Sequence, residues 1–149
     1  MAGSVEQIYL ADREGAPTFS VESVQAITGR GLEGDRYLAP DDTWAPSGTA
    51  ISLIEAEAIE AIHDQHGIDL ADGRSRRQVV TRGVRLNDLV GREFTVGEAR
   101  CRGVELCEPC QALTEMLAEP GLIKAAVPRA GLRADVLAGG RIALGDAVL

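Results

Sequence analysis

The sequence predicts a mainly β domain of the α+β class, a closed β-barrel with a few helical insertions. Short runs of β-branched and aliphatic residues alternate with glycine turns along most of the chain, and few segments have helical spacing. Aromatic residues make up only 3% of the sequence, so the core must consist of valine, leucine, isoleucine and alanine. All 149 residues are predicted to form one domain, residues 1–149, with a substantial core.

The first predicted elements are two strands and a loop. Residues 4–11 and residues 21–27 are rich in strand-forming side chains. Three glycines within residues 29–34 then predict a loop that bends tightly or approaches a ligand closely. Asp35 and Arg36 in this loop form either an exposed ion pair or a binding feature in which Arg36 reaches toward an anion. Local features alone favour the ion pair.

Residues 51–67 have the clearest helical pattern in the chain. Ser52 followed by Glu55 matches a capping box, and the apolar residues after Ile51 recur at helical spacing. Gly67 supplies the expected C-terminal stop of this helix.

A basic cluster precedes the next predicted strand. Arg74, Arg76 and Arg77 lie within four residues, and residues 78–81 continue into a β-branched run. The alternatives are a solvated charge run and an anion site, since guanidinium groups match phosphate oxygens. The position of the cluster at the beginning of a strand, in an acidic chain, favours the anion site.

The second half of the chain is predicted to consist of short strands, glycine turns and two short helices. Gly139 and Gly140 predict a hairpin turn between two of the closing strands. The predicted segments are β pieces within 83–97, a strand from 97 to 107, helical pieces within 114–126, and strands at 132–137, 141–144 and 147–149.

Overall composition excludes several classes of protein. A net charge of −8 argues against general binding to nucleic acid or to anionic membranes. The first ten residues do not resemble a signal peptide, and no apolar run reaches transmembrane length. Three cysteines are a poor basis for a disulfide framework, so the protein is predicted to be cytoplasmic.

The strongest chemical signal is a Cys-x-x-Cys pair, Cys107 and Cys110. Pro109 fixes a rigid corner directly before Cys110. Cys110 is therefore predicted to lie at a strand-to-helix junction, where the helix dipole favours a thiolate. A thiolate is both a soft metal ligand and a nucleophile.

Six segments occur in a specific order along nearly the whole chain. They are G-L-E-G-D-R at 31–36, the helical pattern at 51–62 with its L-I-E start, R-R-Q-V-V-T at 76–81, G-V-R-L-N-D-L-V-G at 83–91, C-E-P-C at 107–110 and G-L-R-A-D-V at 131–136. Together they resemble the MOSC family, the molybdenum cofactor sulfurase C-terminal domain.

The resemblance implies a MOSC-type β-barrel that handles the molybdenum cofactor, a pyranopterin. In family members that act as reductases, a cysteine thiolate ligates molybdenum and basic residues hold the pterin phosphate. Cys110 is the expected catalytic and metal-binding thiol, with Cys107 as second choice. Gln78 stands where family members often carry asparagine, so an amide is retained. The expected cofactor-binding residues are Arg36, Arg76, Arg77, Gln78, Thr81 and Arg133.

The resemblance implies reduction of N-hydroxylated or related small substrates at a cysteine-ligated molybdenum. The alternative is a non-catalytic carrier of sulfur or molybdenum cofactor that uses a Cys110 persulfide, so the sequence leaves open whether the chain is an oxidoreductase, a sulfur transferase or no enzyme. An electron-donor protein or a cysteine desulfurase-type sulfur donor is the implied partner. Pyridoxal phosphate is not expected, because Lys124 is the only lysine and no phosphate loop lies near it.

A zinc site and a thiol–disulfide centre are weaker interpretations of the Cys-x-x-Cys pair. A structural zinc site needs four ligands, and only Cys101, His63 or His66 could complete one. Both histidines are predicted to be solvated, and Cys101 is predicted to be a structural residue in a strand. The surrounding sequence also lacks the βαβ pattern of a thioredoxin-like protein.

Overall fold

The structure is a computed structural model that describes residues 3–108 and 111–149, with only the backbone described at residues 111 and 112. The helices are α1 (Ala56–His66), α2 (Gln111–Leu117) and α3 (Leu122–Ala126), with a 3-10 helix at Leu86–Leu89. The strands are β1 (Gly3–Leu10), β2 (Phe19–Ser20), β3 (Ser23–Ile27), β4 (Gly31–Leu32), β5 (Ile51–Glu55), β6 (Val79–Arg82), β7 (Glu93–Val96), β8 (Ala99–Leu106), β9 (Leu132–Ala138), β10 (Gly140–Ala143) and β11 (Ala147–Val148).

Seven of the described strands close into a barrel, which confirms the predicted fold class. The order around the barrel is β1, β11, β7, β8, β9, β5 and β6, and β6 pairs with β1 again. Among these pairs only β5 and β6 run parallel. Because parallel neighbours need a crossover, α1 carries the chain from the end of β5 back toward the start of β6. Outside the barrel, β3 pairs with β4 and β10.

Three apolar clusters of the described residues stabilise this arrangement, and the smallest consists of Ile54, Ala56 and Val80. Aliphatic side chains such as Ile8, Leu53 and Leu132 fill the barrel and are inaccessible to solvent, as the low aromatic content predicts. A second core joins the three helices through residues that include Ile62 and Leu122. The helical layer therefore has its own apolar contacts at one side of the barrel.

The predicted helix at 51–67 is wrong in its first part. Residues 51–55 form the barrel strand β5, and the helix begins only at Ala56. Glu55 is the N-cap residue and its side chain makes no capping bond, so the predicted capping box is also wrong. A strand buried on both faces is apolar without alternation, which periodicity cannot distinguish from a helix. The stop at Gly67 is confirmed, with a left-handed φ of 68°.

The predicted hairpin at Gly139 and Gly140 is also wrong. β9 pairs with β8 and β5, whereas the following β10 pairs with β3. These glycines instead allow close packing, because a Cβ on Gly139 would lie 2.4 Å from the Ala26 carbonyl oxygen. Residues 86–89 are a 3-10 helix where β structure was predicted, and β4 lies within the predicted glycine loop. The other predicted strands and both short helices are present, with shifted ends.

We expect Gly131→Ala to lower the free energy of unfolding by more than about 2 kcal/mol. Gly131 has a φ of 116°, and a Cβ there would lie 2.2 Å from the Leu53 carbonyl oxygen in the neighbouring strand. Gly67→Ala is the matched control, because Gly67 also has a positive φ but faces open space. It should cost about 1 kcal/mol. Urea unfolding measures both, and equal losses would contradict close packing at Gly131.

Candidate functional site

A cavity of about 340 Å³ opens at the end of the barrel where β5 and β6 begin. It brings together residues that the sequence scatters over about a hundred positions. The predicted site residues that line it are Arg36, Arg76, Arg77, Gln78, Arg133 and Cys107. Its wall also carries the apolar side chains of Ile51, Leu113 and Met116 and the carboxylates of Glu14 and Glu108.

The parallel pairing of β5 and β6 explains where this cavity lies. Leu53 pairs with Val79 in these parallel strands. The residues immediately before them in the chain, Ser52 and Gln78, therefore lie at the same end of the barrel. Thr81 lies three residues beyond Gln78, about 10 Å along the strand, and does not line the cavity. It is fully buried, and its hydroxyl has no hydrogen-bond partner among the described residues.

A buried hydrogen-bond network joins the glycine loop to these two strands. Asp35 is 8% exposed and accepts hydrogen bonds from the Ala11 N–H, the Tyr37 N–H and the Gln78 amide. The Gln78 amide oxygen in turn accepts the Ser52 N–H at 2.8 Å. Asp35 forms no ion pair within the described residues, so the exposed Asp35–Arg36 pair that local features favoured is wrong.

The four arginines of the cavity are each held by a separate contact. The Arg36 guanidinium donates to the Tyr37 hydroxyl and lies 4.2 Å above the centre of its ring. Arg76 donates to the Ala16 carbonyl and has a left-handed φ of 62°. Such a φ is uncommon for a residue with a side chain. Arg77 and Arg133 lie nearer to the thiol of Cys107, as described next.

Arg77 and Arg133 flank the second-choice thiol, Cys107. Arg77 donates through Nε to the Ala130 carbonyl at 2.9 Å, and Arg133 lies 3.7 Å from Glu105. Cys107 is 4% exposed, and burial raises the pKa of its thiol. The positive charges of Arg77 and Arg133 offset part of that rise. Cys107 is therefore a neutral thiol at neutral pH, with cationic neighbours that would favour its thiolate if it formed.

The first-choice thiol, Cys110, lies outside the described residues, as does Pro109. Glu108 and Leu113, described residues on either side of it, both line the cavity.

A family model for the MOSC domain matches residues 34–149. The chain belongs to the MOSC domain family. No curated protein matches it at a significant level.

Solved structures share the fold of this MOSC domain. The YuaD protein from Bacillus subtilis gives a TM-score of 0.82 at 18% identity, covering 99% of this chain and 94% of that one. YiiM from Geobacillus stearothermophilus gives 0.77 at 18% identity, covering 99% and 74%. YiiM from Escherichia coli gives 0.71 at 20% identity, covering 99% and 68%. At these identities the likeness establishes the fold alone.

The other metal-ligand candidates of this MOSC domain lie apart from the cavity. Cys101 is fully buried in β8, where burial and the nearby Asp135 raise the pKa of its thiol to about 12. His63 and His66 are exposed on α1. Within residues 3–108 and 111–149, no group of three or more histidine, cysteine or acidic side chains could hold a metal ion.

None of the helices in the described part of the chain is long and apolar enough to cross a membrane.

Sequence reasoning missed several residues of the site. Local features predict Asp35 as an exposed partner of Arg36, and Ser52 as part of a helix cap. Tyr37 and Met116 carry no local signal, because their contribution depends on strands and loops that meet only in the folded barrel.

We expect the Cys107 thiol to react with iodoacetamide slowly at neutral pH. Its rate should rise through a pH above the ordinary thiol pKa of about 8.5, because burial disfavours the thiolate. Mass spectrometry of the Cys110→Ser variant follows Cys107 alone, with the more deeply buried Cys101 as an unreactive internal reference. Arg133→Gln should move the midpoint higher still, because a cation near the thiol is removed. With Arg133 intact, a midpoint of the alkylation rate at or below about pH 8.5 would contradict this account.

Proposed function

We propose that this MOSC domain binds the molybdenum cofactor in the arginine-lined cavity and reduces N-hydroxylated or related small substrates there. One observation carries the proposal, namely that four arginines and a cysteine line the same cavity. Guanidinium groups suit the phosphate of the cofactor, and a cysteine sulfur suits molybdenum. A volume of about 340 Å³ lies within the range of small-molecule sites, roughly 300–1,000 Å³.

Different residues would contact different parts of the cofactor. Arg36, Arg76, Arg77 and Arg133 would hold the phosphate and the polar edge of the pterin. Gln78 would contribute to the cofactor site through its hydrogen bonds with the Asp35 carboxylate and the Ser52 N–H. Thr81 is set aside, because its buried hydroxyl lies away from the cavity. When bound, the cofactor supplies a molybdenum centre that can exchange electrons with a substrate.

Cys110 is the proposed metal ligand, and Cys107 is the alternative. A ligand thiol must lose its proton, and the buried Cys107 has a raised pKa that opposes this loss. Cys107 nevertheless lines the cavity beside Arg77 and Arg133, which would stabilise either a thiolate or a persulfide anion. This second observation favours the alternative function, in which the domain carries sulfur or the cofactor without turnover.

The wider setting follows from the same chemistry. A thiol site of this kind works where thiols stay reduced, so we place the protein in the cytoplasm. A reductase needs an electron-donor protein, and a carrier needs a sulfur donor of the cysteine desulfurase type. Lys124 is exposed on α3 and does not line the cavity, so pyridoxal phosphate is not proposed.

We also propose that residues 1–149 form one domain. The family match begins at residue 34, but β1 lies before it and pairs with both β11 and β6. The segment outside the matched range therefore completes the barrel.

Protein purified from a host that makes the molybdenum cofactor should contain about one molybdenum per chain by elemental analysis. Cys110→Ser and Arg77→Gln should each lose most of it, since one removes the ligand and the other a phosphate contact. Arg100→Gln is the matched control, because Arg100 is an exposed arginine paired with Glu93 outside the cavity.

Three outcomes separate the proposals. Molybdenum that depends on Cys110 supports the cofactor site, and turnover of an N-hydroxylated substrate with an artificial electron donor then tests the reductase. A persulfide on Cys110, or on the alternative thiol Cys107, without molybdenum supports the carrier. Neither metal nor persulfide on protein from such a host would contradict both.

A further inference from the structure

We propose that Asp35 is a positioning residue of the cavity, with Gln78 as its partner. Asp35 sets where the arginines stand, and thereby controls the affinity for an anion, without itself contacting the ligand. The inference rests on the proposed function, because it takes the cavity to be an anion site. In this proposal a buried acidic residue maintains the shape of a site that binds anions.

The hydrogen bonds of Asp35 come from three separate parts of the chain. Its Oδ1 accepts the Ala11 N–H at 3.0 Å, just after β1. Its Oδ2 accepts the Tyr37 N–H at 3.1 Å and the Gln78 Nε2 at 2.7 Å. A carboxylate that accepts several N–H bonds in a buried place is strongly held, because each unpaired oxygen would be costly to desolvate.

Each partner of Asp35 adjoins a cavity residue. Arg36 lies between Asp35 and Tyr37, and its own N–H donates to the Ala11 carbonyl at 2.7 Å. Arg77 immediately precedes Gln78, whose amide oxygen holds the Ser52 N–H. The network therefore fixes the backbone next to two cavity arginines, Arg36 and Arg77.

The length of the Gln78 side chain matches this role. Its amide spans from Asp35 at 2.7 Å to the Ser52 N–H at 2.8 Å. Asparagine is shorter by one carbon–carbon bond, about 1.5 Å, and would lose at least one of the two hydrogen bonds.

An effect of Asp35 through its charge and an effect through positioning of the arginines predict opposite changes in anion affinity for Asp35→Asn. Removing the negative charge of Asp35, next to Arg36 in the chain, would tighten anion binding in the cavity if charge alone mattered. If Asp35 positions the arginines, binding should weaken instead, because an asparagine amide nitrogen cannot accept the bonds from Tyr37 and Gln78. The sign of the change therefore distinguishes the two roles.

Isothermal titration with inorganic phosphate tests the proposal, at a temperature well below the melting point of every variant. We expect Asp35→Asn and Gln78→Asn each to weaken phosphate binding about tenfold. Tenfold corresponds to about 1.4 kcal/mol, the scale of one lost hydrogen bond. The double variant Asp35→Asn with Gln78→Glu reverses the direction of the 35–78 hydrogen bond and keeps the net charge of the parent. It should recover part of the lost affinity, although it places a carboxylate in the cavity wall, which charge alone would make unfavourable. Asp64→Asn, an exposed acid on α1, controls for net charge.

The outcomes separate this inference from the proposed function. Saturable binding by the parent with weaker binding by Asp35→Asn and rescue by the double variant supports positioning. Binding by Asp35→Asn that equals or exceeds that of the parent overturns positioning and leaves the anion site standing. A parent that binds no phosphate overturns the anion site, and positioning falls with it.

Discussion

The parallel pairing of β5 and β6 is the constraint on which both the barrel and the site depend. It requires the α1 crossover, and it places the first residues of both strands at one end of the barrel. Ser52 and Gln78 meet there, and Gln78 reaches Asp35 in the glycine loop. One strand register thus determines where Arg36 and the basic cluster before β6 stand relative to each other.

The charges around the cavity have opposing effects on the Cys107 thiol and on one another. Burial disfavours a thiolate at Cys107, whereas the adjacent Arg77 and Arg133 favour it. The four arginines of the cavity repel one another, and they outnumber the nearby carboxylates of Glu14 and Glu108 in the wall and of Glu105 beside Arg133. Such a site is at its most favourable when an anionic group occupies it, in agreement with the function proposed for the cavity.

The sequence indicated which side chains line the cavity better than it indicated how they are arranged. Glycine turns and β-branched runs predicted the barrel because they reflect local backbone preferences. The basic cluster before β6 indicated two of the cavity arginines, Arg76 and Arg77, whereas Arg36 and Arg133 were expected only from the resemblance to the MOSC family. Residues 51–55 were misassigned, because a strand buried on both faces has no alternation to detect. Asp35 could not be recognised as buried, since its donors at Ala11 and Gln78 are distant in sequence. Thr81 follows the basic cluster closely in sequence, but the strand carries it about 10 Å from Gln78.

The central claim is that Arg36, Arg76, Arg77 and Arg133 act together on one anion. Nuclear magnetic resonance of the arginine Nε–Hε groups during a titration with inorganic phosphate tests it most directly. The account predicts that these four signals, assigned by single substitutions, shift together and saturate at one dissociation constant, while exposed Arg100 does not respond. Shifts that spread over the exposed arginines without saturation would contradict a shared anion site.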